Sequence, residues 1–229
     1  MSQSEPPADM PGANVSALRI DVVSDVVCPW CFVGKRRLEE ALVLASDLDA
    51  HVTFRPFQLD NTIAPGGIPR EEYLNRKFGP ERAKNMYGRL EGLGREVGIP
   101  FAFDKIKISP NTLDAHRLLR WAQATGEQAA VKERLMELFF IEGADIGDHR
   151  VLADVAAAHG IERAVAERLL ASDADCDSVR EEIEAASRMG VTGVPFFIFN
   201  NAIAVSGAQP AEVLVQAMRQ ALQQASPEA

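Results

Sequence analysis

The sequence predicts an α/β protein in which a β-α-β unit at the front and an α-β-β-α unit at the back close one sheet around a large inserted all-helical domain. Three observations predict it. A β-branched apolar run, Leu18-Arg19-Ile20-Asp21-Val22-Val23, passes into a helix-forming run that starts near Pro29. From Arg70 to about Ser187 the apolar residues recur mostly at helical spacing. Strand character then returns in Pro195-Phe196-Phe197-Ile198-Phe199. Strand-bearing ends that flank a helical block must meet to form a sheet, so the block is an insertion rather than an appended domain.

The elements follow in order. Residues 1–16 are polar and Pro-containing and read as a disordered leader. A first strand is expected over 18–24 and a first helix from the cysteines to about Ser46. His51-Val52-Thr53-Phe54-Arg55-Pro56-Phe57 reads as the second strand, ended near Pro56, which cannot donate to a ladder. The order β-α-β implies a parallel pair with a right-handed crossover. Pro65-Gly66-Gly67 and Pro69 mark a loop. Helices are expected over 71–78 and 81–97, then a short extended piece over 101–108. Ser109-Pro110-Asn111-Thr112 opens the next helix with an Asn or Thr cap, and Gly126 closes it. An amphipathic helix is expected over 129–141. Asp148 can cap a helix over 151–158, another covers 162–170, and Asp175 or Asp177 can cap the run to Met189. Asn200-Asn201 tolerate the left-handed backbone of a hairpin between strands 195–199 and 202–206. Pro210 opens a last helix over 211–222. The sheet domain is therefore expected to comprise 17–62 and 176–225, and the helical insert 63–175.

Between the first strand and the first helix stands Cys28-Pro29-Trp30-Cys31. A CxxC beside a β/α pattern reads as a thioredoxin-like redox motif. The first turn of a helix offers unpaired N–H groups and the positive end of its dipole, both of which favour a thiolate. In such motifs the thiol pKa can fall from about 8.5 to roughly 3.5–7.5. Pro29 suits the first helical turn, having no N–H to lose there. Cys28 is expected to be the exposed attacking thiol and Cys31, one turn deeper, the resolving one. Val194-Pro195, between a Gly-containing loop and a strand, is a candidate cis-proline site.

Composition narrows the setting. The chain has 229 residues, 47% of them hydrophobic, a net charge of −9 and three cysteines. That is enough for a large packed core. The negative charge argues against nucleic acid and anionic membrane surfaces as main partners. Three cysteines do not make a disulfide-stapled secreted scaffold. The opening residues lack the basic start and apolar core of a signal peptide, and no run of eighteen apolar residues exists. A cytoplasmic protein is expected.

Cys-Pro-Trp-Cys-Phe-Val-Gly, the helical insert, Pro110-Asn111-Thr112-Leu113-Asp114-Ala115-His116-Arg117 and Gly193-Val194-Pro195-Phe196-Phe197 together resemble the DsbA-like thioredoxin superfamily, most closely its FrnE-like oxidoreductases. The resemblance covers roughly residues 18–222. It implies a thioredoxin-like fold, thiol–disulfide oxidoreductase activity with Cys28 and Cys31 as the active pair, and a cis-proline loop at Val194-Pro195. It implies no metal and no organic cofactor, with protein or low-molecular-weight thiols and disulfides as partners and glutathione as a conceivable co-substrate. Two departures stand out. Trp30 occupies the position that is His in periplasmic DsbA, so the strongly oxidising character of DsbA is not carried over. Where some FrnE-like proteins have a second cysteine pair near the C-terminus, only Cys176 is present.

Blander readings stand beside these. The two cysteines could be buried thiols or half of a zinc site, but no second CxxC or paired His cluster completes one. Pro29, Trp30, Val194 and Pro195 are read as substrate-binding, with Trp30 capping the site. His116 is read either as lining the cleft opposite the cysteines and assisting proton transfer, or as a hydrogen-bonded histidine of the insert. Asp25 is read as a loop residue, with a role at the Cys31 proton as the alternative. Cys176, between Asp175 and Asp177, is read as non-catalytic. Two other functions fit the layout: a glutathione-dependent transferase or isomerase of the kappa or 2-hydroxychromene-2-carboxylate type, whose members usually place Ser where Cys28 stands, and a non-enzymatic binding module. The oligomeric state stays open, a homodimer among the options.

Overall fold

The computed structural model describes residues 17–225; the leader expected over 1–16 lies outside the described residues. Strand β1 (Leu18–Ser24) leads into helix α1 (Pro29–Leu44), and strand β2 (Ala50–Pro56) returns parallel to β1. The helical region follows: α2 (Arg70–Lys77), α3 (Pro80–Glu96), α4 (Leu113–Ala124), α5 (Gln128–Glu137), α6 (His149–Ala158), α7 (Arg163–Leu170) and α8 (Cys176–Arg188). Within it, β3 (Ile68–Pro69) pairs antiparallel with β4 (Ile108–Ser109). The hairpin β5 (Phe196–Phe199) and β6 (Ile203–Ser206) and helix α9 (Ala211–Ala225) complete the chain.

The four longer strands form one sheet in the order β2-β1-β5-β6, so the two ends of the chain do meet. β5 runs antiparallel to β1, with Val22 opposite Phe197. Alternation divides the sheet into two faces. Ile20, Val22, Phe197 and Phe199 pack on α1 and α9 through Leu38, Leu214 and Met218. Val23, Phe196 and Ile198 face the other way, against Ala186 of α8 and Val191. The hairpin turns on Asn200 and Asn201, both at positive φ.

The helical region has its own core of Leu118, Leu135, Met136, Phe139 and Phe140, which continues into Phe32, Cys28 and Cys31 at the start of α1. It is pinned to the sheet at the edge strand. Gln128 of α5 accepts from Phe54 N–H at 2.8 Å and donates to Phe54 C=O at 3.1 Å, which occupies groups an edge strand would otherwise leave open. Lys35 of α1 lies 2.6 Å from the Glu133 carboxylate, tying the cysteine helix to α5.

Three local expectations need correction. Residues 101–108 are not an extended piece: Phe103–Lys105 is a 3-10 turn, and only Ile108–Ser109 is strand. A strand needs a ladder partner along its length, and only Ile68–Pro69 lies alongside. Upstream, the chain bonds to itself, Lys105 N–H to Ala102 C=O and Ile106 N–H to Phe103 C=O, while the rings of Phe101 and Phe103 stack at 4.9 Å. The helix expected over 129–141 ends at Glu137 and continues as a wide π-helical turn, Leu138–Glu142, which buries Phe139 and Phe140 together. Asp175 stands at the N-cap of α8 but does not cap it, because its carboxylate accepts from Trp121 Nε1 at 2.9 Å and Arg120 Nε at 3.2 Å.

Candidate active site

The site is built by the start of α1. Cys28 is the N-cap, with extended backbone, and Pro29 is the first helical residue. Cys28 C=O accepts from the N–H of Cys31 at 3.0 Å, which sets the two thiols one turn apart. Both are free thiols in the structure. Gly34 lets this helix approach the proline loop: a Cβ there would fall 2.8 Å from Pro195 Cγ. The Val194–Pro195 peptide bond is cis. Val194 C=O lies 3.7 Å from Cys28 Sγ.

Cys28 is 3% exposed, so the expectation of an exposed thiol needs correction. It faces a groove of about 290 Å³ rather than open solvent. Pro29, Trp30, Gly193 and Val194 line the groove on the sheet side, and Arg70, Tyr73 and Tyr87 on the side of the helical region. Pro195 itself is buried behind Val194, its ring against Gly34. Cys31 does not reach the groove. His116 is buried as well and does not line it.

His116 belongs instead to a layer beneath the cysteines. Its Nε2 lies 2.9 Å from Phe57 C=O and 3.2 Å from an Asp25 carboxylate oxygen. The carbonyl can only accept, so this network puts the proton on Nε2. Asp25, 1% exposed, accepts from Leu59 N–H on its other oxygen at 2.8 Å. The loop residue ahead of the cysteines is therefore a buried carboxylate held by donors from two separate segments.

Sequence reasoning missed Lys132 of α5. It is 1% exposed, and its ammonium has no hydrogen-bond partner among the described residues and sits 5.1 Å over the Phe54 ring. Burial pushes it down to about 8, against the opposing charges of Cys31 and Asp25. The signal was there in the spacing: Lys132 shares a helix face with Leu135, Met136 and Phe139, where a lysine is out of place. Burial likewise pushes the Cys31 thiol well above the usual range. Its hydrogen bond with Cys28 and the Cys28 charge add to the rise; Lys132 and a backbone hydrogen bond at Asp25 pull it back.

Lys132 yields a prediction about pH. A lysine in the unfolded chain titrates near 10.4 and the folded one near 8. Between those values the unfolded chain binds more protons, so this residue makes the reduced protein more stable as pH rises from 8 to 10. Below 8 the penalty for the buried charge is present in full. Lys132→Met is expected to raise stability at pH 7 by about 1–3 kcal/mol and to flatten the rise. Urea melts of reduced protein at pH 7 and pH 9.5 check this, and a less stable variant at pH 7 would overturn it.

Cys176 begins α8 and lies away from this layer, in a cavity with Arg117 and His149. Among the described residues no cluster of His, Cys, Asp or Glu is placed to hold a metal ion, and no helix is long and apolar enough to cross a membrane.

The chain is similar to known proteins over most of its length. It is 27% identical to the uncharacterized protein YwbO of Bacillus subtilis (strain 168) over 202 residues, 88% of this chain and 96% of that one. The crystal structure of "probable DsbA oxidoreductase SCO1869" from Streptomyces coelicolor superposes with a TM-score of 0.84 at 33% identity, covering 93% of each chain. The cytosolic disulfide reductase DsbM from Pseudomonas aeruginosa, solved with GSH, shares the fold with a TM-score of 0.59 at 15% identity over 90% of this chain and 96% of that one. The family model described as DSBA-like thioredoxin domain matches residues 19–219. Because that match runs from the first strand through the cysteines and the proline loop to the last helix, the chain belongs to the DsbA-like thioredoxin family.

Proposed function

We propose that the protein is a thiol–disulfide oxidoreductase in which Cys28 attacks and Cys31 resolves. The reading rests on one observation: of two free thiols one helical turn apart, only Cys28 faces the groove, and Cys31 sits behind it, buried near the Lys132 ammonium. The Cys28 thiolate attacks one sulfur of a substrate disulfide. The substrate S–S bond breaks, a Cys28–substrate bond forms, and one substrate thiolate leaves. Cys31 then attacks Cys28 sulfur and expels the second thiolate. The enzyme has lost two electrons, the substrate has gained two, and the two cysteine protons end on the released thiols.

The electrostatics suit that order. Burial keeps the Cys31 proton in place, and while Cys28 is free its hydrogen bond and charge add to this. Once Cys28 is in a mixed disulfide both influences vanish, whereas Lys132 remains. Cys31 becomes easier to deprotonate at the step that needs its thiolate. Lys132 touches no substrate here; its charge acts on the proton of Cys31.

Val194 and Trp30 are read as the walls that hold the substrate beside Cys28. Small thiols such as glutathione are proposed as co-substrates, in line with the GSH found in the DsbM structure. Placement among the FrnE-like members is proposed on the motif resemblance, and placement in the cytoplasm on the few cysteines. An isomerase that uses only an activated glutathione would leave Cys31 and Lys132 without a task.

The test is redox equilibration. Protein held in glutathione buffers over a wide range of ratios, then acid-quenched and alkylated, is expected to show a Cys28–Cys31 disulfide replacing two free thiols in a single two-electron step. If no ratio joins those two sulfurs to each other, the reading is wrong.

A further inference from the structure

The groove over Cys28 holds one cation among the described residues that line it, Arg70 of α2. Its guanidinium is fixed, and no carboxylate among the described residues pairs with it. Nη1 donates to Ser109 Oγ at 3.1 Å and Nη2 to Tyr87 Oη at 2.5 Å. The rings of Tyr73, Tyr87 and Phe139 surround it at 5.4, 5.9 and 5.8 Å. Nε is buried and has no partner. A guanidinium has five N–H donors, and only two are engaged here. The Tyr87 hydroxyl accepts from Arg70 and finds no acceptor among the described residues for its own proton. Burial raises the pKa of this phenol, so the hydroxyl keeps its proton.

Arg70 is half-buried, and its guanidinium is held in place by three rings and two hydroxyls while its charge stays uncompensated by any carboxylate among the described residues. Nothing in the groove supplies one. Asp60 is paired with Arg76 at 3.0 Å and with Thr62, and Asp25 is held by Leu59 N–H and His116. The groove is about 290 Å³, at the lower end of small-ligand pockets. That volume suits a low-molecular-weight molecule better than a folded protein loop.

We infer that Arg70 determines specificity by binding a carboxylate of a small anionic disulfide or mixed disulfide whose sulfur lies at Cys28. This inference rests on Cys28 being the attacking thiol. The second N–H groups of Arg70 Nη1 and Nη2 and the Tyr87 O–H supply the free donors, and the aromatic walls keep water from competing. The exchange chemistry is unchanged: Cys28 takes one sulfur of the substrate, the other leaves as a thiolate, and Arg70 transfers neither proton nor electron.

Two disulfides of nearly equal size separate charge from chemistry: 3,3'-dithiodipropionate, with two carboxylates, and 2,2'-dithiodiethanol, with two hydroxyls. Each is mixed with reduced wild type, Arg70→Gln and Arg70→Lys, with thermal melts to confirm folding, and each rate is normalised to attack by free dithiothreitol. In wild type the anionic reagent is expected to be favoured. In Arg70→Gln the ratio of the two rates is expected to fall by about 10- to 100-fold. Arg70→Lys keeps the charge but loses the fork, and falls between. An unchanged preference in Arg70→Gln, or a parallel loss with both reagents, overturns the inference. So does a cystine peptide that shows the Arg70 dependence when dithiodipropionate does not. If wild type fails to attack even the hydroxyl reagent, it is the role of Cys28 that fails, and the assignment of Arg70 falls with it.

Discussion

Cys28→Ser is expected to lower disulfide turnover by on the order of 10³-fold or more, the loss typical of deleting a covalent nucleophile. The thiolate is the nucleophile in disulfide exchange, and a serine hydroxyl is not ionised at neutral pH. Nothing else that faces the groove can replace it, because Cys31 is screened by Cys28 and Cys176 lies in another cavity. The measurement is the rate of insulin disulfide reduction with dithiothreitol as reductant. Rates equal to wild type would remove Cys28 from the chemistry. Cys31→Ser separates the two roles. It should still form the first covalent bond and then stall, and a Cys28 adduct stable enough for intact-mass detection is the expected product. The fold should survive either change, since serine is only slightly smaller than cysteine and the contact of Cys28 Sγ with Val194 C=O at 3.7 Å is a weak one.

The second large effect is on stability. Arg117→Met is expected to destabilise the protein by about 3–5 kcal/mol. Arg117 is 1% exposed, and its guanidinium gathers the connection between α7 and α8. Nε donates to Ala174 C=O at 2.7 Å, and Nη2 to Leu169 and Ser172 C=O at 2.6 and 2.7 Å. Nη1 bonds the Asp114 carboxylate at 2.7 Å, and the plane lies over the Trp121 ring at 5.2 Å. Methionine fills much of the space and leaves those acceptors without donors. At about 2–4 °C per kcal/mol for a chain of this size, the melting temperature should fall by roughly 10 °C. Arg117→Lys should recover little, because one ammonium cannot reach partners spread across a planar fork. A change below about 1 kcal/mol in Arg117→Met would show that the loop closes without it.

Much of the architecture was legible in the sequence because the signals are local. The strand over 196–199 follows from a run of apolar residues bounded by Pro195 and the Asn200-Asn201 turn. The expected start of α1 at the cysteines follows from proline chemistry in the first helical turn. The failures are of another kind. The stretch over 101–108 looks extended, yet strand character depends on a neighbour that the stretch itself cannot specify. Asp175 looks like a cap, yet Trp121 and Arg120 take its carboxylate. The Cys28 thiol looks exposed, but the helical region closes over it.

The sequence by itself determined the order of strands and helices and the pair of sulfurs at a helix start, since each depends on residues a few positions apart. Only the tertiary structure decided what surrounds those sulfurs. Asp25 meets His116 across 91 residues of chain, and Cys28 meets Val194 across 166. Lys132 and Arg70 arrive from helices whose own spacing says only which face is apolar. The proton held on Cys31 comes from burial and the place of Arg70 in the groove from packing, and neither can be read from a residue's neighbours in sequence.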